Sequence, residues 1–227
     1  MAIAEKNEEL TVSKKLNAFI EKNRKVIIGV FGALLVAVLA FVVVEIVVSK
    51  TGTKNLAAVD ALSFELTDGS SALEDNELVA RRDEVLEKLI PYTKKAGVAG
   101  VRANMLAAEI EYQKKNYESA LEYWDAAAEK GKKAYTASLA YYNQGVCLEA
   151  LNRLDEAAEV FEIASLDEEF LLRAHALFCF GRVLESSGKY AEAAKAYQEL
   201  NDDYPDDGWA KLAKTRLIEL KIEGKVE

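Results

Sequence analysis

The stretches "KNYESALEYWDAAAE" (residues 115–129), "NRLDEAAEVFEIAS" (152–165) and "GKYAEAAKAYQELN" (188–201) are one pattern written three times. Each has a large residue (Tyr117, Leu154, Tyr190), then alanine three places on (Ala120, Ala157, Ala193). An aromatic follows four later (Trp124, Phe161, Tyr197), then Ala127, Ala164 or Leu200 three after that. Steps of three and four gather these residues on one face of a helix. The copies recur after 37 and then 36 residues, a period that signals an array rather than a single layered core.

The segments upstream agree. "YYNQGVCLEAL" (141–151) and "LFCFGRVLESS" (177–187) place Gly145 and Gly181 twelve residues before Ala157 and Ala193, and Ala108 stands in that place before Ala120. The unit is therefore a helix, a tight turn and a second helix. Small residues let the two helices cross closely, and the aromatic fills the space beside the crossing. One such hairpin cannot bury its own apolar face, so hairpins stack. The pattern resembles the tetratricopeptide repeat. In the third copy Leu177, Phe180, Gly181, Leu184, Gly188, Tyr190, Ala193, Tyr197 and Pro205 all fall at signature places. The second copy lacks the closing Pro and has Gln144 where an apolar residue is usual, and the first has Asn104 and Glu111 at such places. The fold class expected is all-α: a single N-terminal transmembrane helix followed by a tetratricopeptide-like α-solenoid.

The flanks extend the stack. Asn55 to Leu66 has apolar residues at helical spacing, Thr67 to Ser71 is a turn cluster, and Ser71 with Glu74 reads as a capping box. The helix it starts is expected to stop near Ile90, before Pro91. These two helices make a degenerate first hairpin. After Pro205, "DDGWAKLAKTRLIEL" (206–220) reads as a lone closing helix, with Trp209, Leu212, Ala213, Leu217 and Leu220 inward and a polar outer face.

Ahead of the array lies "KNRKVIIGVFGALLVAVLAFVVVEIVVSK" (22–50). Val26 to Val48 is 23 residues with one charge, Glu45. At 1.5 Å per residue this is about 34 Å of helix, enough to cross a bilayer core. Val38-Leu39-Ala40 has the look of a leader cleavage site, but the apolar run continues past it, so an uncleaved anchor is expected. Lys14, Lys15, Lys22, Arg24 and Lys25 crowd its N-terminal side, against Lys50 and Lys54 on the other. Positive flanks stay cytoplasmic, which places the large C-terminal part outside the cytoplasm, in the periplasm of a bacterium with an outer membrane. Leu16, Phe19 and Ile20 share one face of a short amphipathic helix before the span. Glu45 has two readings, a carboxylate reaching the head groups or a polar contact with another membrane helix. Gly29, Ala33 and Ala37 form a small-residue stripe, either filler or a candidate membrane helix contact. The organisation is thus residues 1–25 cytoplasmic, 26–48 spanning, 49–100 linker and degenerate hairpin, 101–207 three repeats, and 208–227 closing helix and tail.

A net charge of -9 argues against a nucleic-acid partner, since the acidic balance offers phosphates little counterion surface. One histidine rules out His pairs, and no phosphate loop, CxxC or GxSxG occurs, so neither an enzyme nor a cofactor or metal is expected. Cys147 and Cys179 read as buried free thiols, with a disulfide the lesser alternative. The candidate site is a concave groove lined by the first helix of each hairpin. The alignment points Arg102, Met105, Glu109 and Tyr112 inward from the first copy, Leu139, Tyr142, Val146 and Glu149 from the second, and His175, Phe178, Arg182 and Glu185 from the third. Tyr112, Tyr142 and Phe178 are either exposed aromatics for a peptide or partner helix, or cover for the core beneath.

The layout of "FIEKNRKVIIGV" (19–30), one span, a degenerate pair and three repeats is similar to the YfgM-like inner-membrane proteins. That resemblance implies a non-enzymatic partner of the Sec translocon and of periplasmic chaperones, and carries no catalytic residue with it. The other reading is a structural component of an envelope assembly such as a motor or division complex.

Overall fold

The computed structural model describes residues 2–132 and 136–227, with side chains from Lys14 onward. Among the described residues the secondary structure is helical throughout. Two units compose the chain, Met1–Thr51 and Gly52–Glu227.

Helix α1 (Ala2–Thr67) supplies the first unit and the start of the second. Sequence reasoning divided this stretch into an amphipathic helix, a span and a linker, yet it is one uninterrupted helix. The reason is that nothing in it breaks a helix. Neither proline of the chain falls there, and glycine costs only about 1 kcal/mol in a helix. From Val26 to Val48 apolar side chains stand exposed on every side, and by length and composition this helix can cross a membrane.

In the second unit, Val59 and Leu62 of α1 pack with Val85 and Leu89 of α2 (Asp75–Thr93) and with Ala103, Leu106 and Ile110 of α3 (Gly97–Gln113). Gly69, at φ 63°, turns the chain out of α1 into a short 3-10 turn, Ser70–Ala72. The capping box lies three residues beyond its expected place. Glu74 is the N-cap, and its N–H donates to Glu77 Oε2 at 3.0 Å. Ser71 is consumed by the 3-10 turn instead. Helix α2 also runs through Pro91 to Thr93. The proline sits in the exposed last turn, so the N–H it lacks and the crowding of its ring against the preceding turn fall at the helix end and not in its middle.

Three hairpins follow: α3 with α4 (Tyr117–Lys130), α5 (Thr136–Ala150) with α6 (Leu154–Ser165), and α7 (Arg173–Ser186) with α8 (Tyr190–Asp203). Each turn holds a left-handed residue at the same place: Lys115 (φ 64°), Asn152 (φ 58°) and Gly188 (φ 80°). The next N–H in each case donates back to the first helix, Asn116 to Glu111 O, Arg153 to Leu148 O and Lys189 to Leu184 O, at 2.8–2.9 Å. This is the Schellman closure of a helix end. The crossings are as close as the spacing implies. A Cβ at Gly145 would meet the Phe161 ring at 2.7 Å, and one at Gly181 the Tyr197 ring at 2.5 Å.

The polar departures from the repeat signature are mostly satisfied. Asn104 is buried and donates to Thr93 O (2.9 Å) and Gly100 O (2.7 Å), so it ties the end of α2 to α3. Buried Glu111 accepts from Asn116 Nδ2 at 2.6 Å, bracing the first turn. Cys147 and Cys179 are free and buried, and burial pushes their thiols up to about 12 and about 11. Helix α9 (Gly208–Ile222), capped by Asp207 accepting from the Trp209 N–H at 2.7 Å, closes the stack. Its outer face is not simply polar as expected, because Ile218 and Ile222 are exposed among the charges, and so is Leu212, which was expected inward.

Candidate functional site

Stacking puts α3, α5 and α7 side by side as the first helices of their hairpins. Their inward rows are not equally open. Arg102, Met105 and Glu109 of α3 and Leu139 of α5 line one groove, of about 610 Å³, together with Val98, Val101 and Leu106. The C-terminal end of α1 forms its other wall through Val59 and Ser63, while Lys130, Gly131 and Thr136 border it at the α4–α5 end. The floor is apolar and the rim is charged. Arg102 pairs with Asp60 at 3.0 Å. The groove walls strip water from the Glu109 carboxyl and hold it above its usual value, with the Arg102 charge opposing. Tyr112 continues the row toward the hairpin turn, exposed and tilted against Tyr117 at 5.3 Å.

Family models for the tetratricopeptide repeat match residues 105–169 and 176–207. These hairpins are tetratricopeptide repeats (TPRs). Such repeats bind protein or peptide partners, and a TPR stack is typically a scaffold rather than a catalyst. A "TPR repeat-containing protein" of Treponema pallidum (strain Nichols) is 32% identical over 158 residues, which are 69% of this chain and 64% of that protein. The chain thus matches less than two thirds of that relative's length. Among solved structures, the nearly identical TPR-like repeats from Podosopora anserina superpose with a TM-score of 0.56 at 11% identity, over 74% of this chain and 86% of theirs. A variant form of the same repeats gives 0.57 at the same identity and the same coverage. At that identity the likeness is one of fold.

The second TPR contributes less open surface. Tyr142 is half-buried, edge-on to Phe161 at 5.7 Å, and its hydroxyl shares a hydrogen bond with His175 Nδ1 at 3.0 Å. Burial pushes its phenol well up. Val146 packs on the core, and Glu149 accepts from Arg182 Nη2 at 2.6 Å. In the third TPR the inward row is covered. His175 stacks on Trp209 of α9, centroids 3.7 Å apart and planes 8° apart. Phe178 is buried between Tyr197 (5.9 Å) and Trp209 (5.2 Å). Glu185 accepts from Tyr197 Oη at 3.0 Å and from Arg216 of α9, Nε at 3.1 Å. Of the two readings of Phe178, groove aromatic or cover for the core, the second is the one that applies, and its place in the groove is corrected. It belongs to the core, because α9 lies where the first helix of another hairpin would.

The twelve inward positions thus separate. Arg102, Met105, Glu109 and Leu139 share the groove, Tyr112 lies open nearby, Tyr142, Val146, Glu149 and Arg182 are engaged within and between the second and third repeats, and His175, Phe178 and Glu185 are engaged by α9. Sequence alignment missed Val59, Ser63, Lys130 and Thr136. The helical spacing of Asn55–Leu66 was the available signal for the first two, since it marks α1's end as the first helix of the hairpin that precedes α3. Gly29, Ala33 and Ala37 lie on an exposed face of α1.

Proposed function

We propose that the chain is a membrane-anchored, non-enzymatic interaction protein whose TPR stack receives a peptide segment or partner helix in the groove between α1, α3 and α5. The observation that carries this reading is the selective openness of that groove. The same row of positions is closed by α9 at the other end of the stack. An apolar floor of Val98, Val101, Met105 and Leu139 accepts apolar side chains, and Arg102, Glu109 and Lys130 at the rim fix their register. The 23-residue apolar stretch supports anchorage, and its cationic flank supports a cytoplasmic N-terminus with the repeats in the periplasm. Tethering raises the groove's effective concentration at the membrane, so modest affinity suffices. The layout shared with the YfgM-like proteins supports a post beside the Sec translocon or with periplasmic chaperones.

The test is a photo-crosslinking residue placed in cells at Val98, with Glu192 on α8 as the control position. Translocon subunits, chaperones or exported nascent chains captured at Val98 and not at Glu192 are the expected result. Cytoplasmic adducts would overturn the topology. The same stoichiometric envelope component at both positions would overturn the adaptor reading in favour of a structural part of an envelope assembly.

A further inference from the structure

Residues 14–25 approach the apolar stretch with five cations, Lys14, Lys15, Lys22, Arg24 and Lys25, against one carboxylate, Glu21. All five are exposed, and among the described residues none has an ion-pair partner. The contrast with the repeat stack is direct: there Lys88, Lys114, Arg153, Lys189 and Arg216 all hold carboxylates. At 100° per residue Lys14, Lys15, Lys22 and Lys25 fall within an arc of about 100°. Leu16, Phe19 and Ile20, also exposed, occupy the arc from about 140° to 240° counted from Lys14, and Arg24, at about 280°, borders them.

Depth selects the partner. Lys22, Arg24 and Lys25 lie within about 6 Å of Val26 along the helix axis. The polar layer on each side of a bilayer is about 5–8 Å deep, so these three side chains stand at the level of lipid phosphates. Exposed cations in water are screened and offer a free anion no cradle. A bilayer instead presents an array of fixed charges at the depth where the cations already stand.

We infer that Lys22, Arg24 and Lys25, at the entry to the span, form a binding surface for anionic phospholipid head groups in the leaflet where the span begins. This rests on the spanning reading of α1 but not on the groove. Each cation at an anionic surface favours association about fivefold, and zwitterionic lipids lack that attraction.

The experiment uses the full chain reconstituted into phosphatidylcholine vesicles containing phosphatidylglycerol. A fluorophore on Asn17→Cys reports energy transfer to head-group-labelled acceptors of either lipid. Flotation after an alkaline wash first establishes integration. The expected result is a preference for phosphatidylglycerol of about fivefold or more at 0.1 M salt, collapsing at 1 M, where the screening length is about 3 Å. Lys22→Gln, Arg24→Gln and Lys25→Gln together should abolish the preference, and Glu21→Lys should raise it. Equal transfer to both lipids in the integrated chain, or a preference untouched by the triple substitution, overturns this inference alone. A chain that washes off the vesicles overturns the spanning reading and this inference with it.

Discussion

Lys115 occupies a backbone conformation that suits glycine. Its φ of 64° places its Cβ against the following carbonyl, a strain of about 1–2 kcal/mol for an ordinary L-residue. The same place in the third repeat is Gly188, and in the second it is Asn152, which tolerates that region better. Two effects compete in Lys115→Gly. Relief of strain stabilises the fold, while the added freedom of the unfolded chain costs about 0.5–1 kcal/mol. Relief is the larger, so the substitution should stabilise the stack by roughly 0.5–1 kcal/mol, read as a raised urea midpoint at constant slope. Asn152→Gly should gain less. A lowered midpoint for Lys115→Gly would show that the turn is not strained. Sequence reading saw the third turn through its glycine and the close crossings through Gly145 and Gly181. It could not see the strain at Lys115, because lysine carries no turn signal and only the Schellman bond from Asn116 to Glu111 compels the conformation.

At the scale of elements, α9 is the one whose role differs most from its sequence reading. Its apolar spacing was legible, but its register against α7, thirty residues upstream, was not, and that register converts His175, Phe178 and Glu185 from groove to interior contacts. His175 makes this testable through pH. Burial holds its imidazole below the ordinary value, and the Arg182 charge adds to the depression while Asp207 opposes it. A depressed base is neutral in the fold and takes up its proton first in the unfolded chain. Its contribution is therefore full above the unfolded value of about 6.5 and declines as pH falls toward the folded value. Stability measured by urea should fall between pH 7 and 5, and His175→Phe should flatten that slope. An unchanged slope would mean the stack on Trp209 leaves His175 as free to titrate as in the unfolded chain. Trp209→Ala tests the same contact from the other side. If the stack contributes about 0.5–1.5 kcal/mol beyond its buried area, its loss makes local opening of α7 roughly two- to tenfold more frequent. Thiol labelling of Cys179 should accelerate by that factor while Cys147, in α5, lags behind. Equal acceleration of both thiols would mean that the substitution loosens the whole stack rather than α7.

For the whole molecule, the hairpin array was legible because its physics is local: each repeat contacts its neighbours and writes its packing in its own 36 or 37 residues. The groove was legible only in part. One wall comes from α1, outside the repeat pattern, and at the far end of the stack the inward row is covered by a helix that belongs to no hairpin. The first unit has a different logic, since its stretch from Val26 to Val48 buries nothing in the fold and so asks for another solvent. Seventeen of those 23 residues are Val, Ile, Leu or Phe. At about -0.3 to -0.6 kcal/mol each near the centre, they favour insertion by roughly 5–10 kcal/mol at most. A single arginine costs about 2.5–3.5 kcal/mol there, so Leu35→Arg alone should leave the chain in the membrane after alkaline extraction. Adding Val38→Arg brings the cost to about 5–7 kcal/mol and removes two apolar side chains, enough to cancel insertion. The doubly substituted chain should appear in the soluble fraction with the helical circular dichroism of its repeats intact, because the repeat stack keeps its own core. Retention of that variant in the membrane would mean that something other than this helix holds the chain there. Extraction of the unsubstituted chain would mean that the helix is covered by protein rather than by lipid.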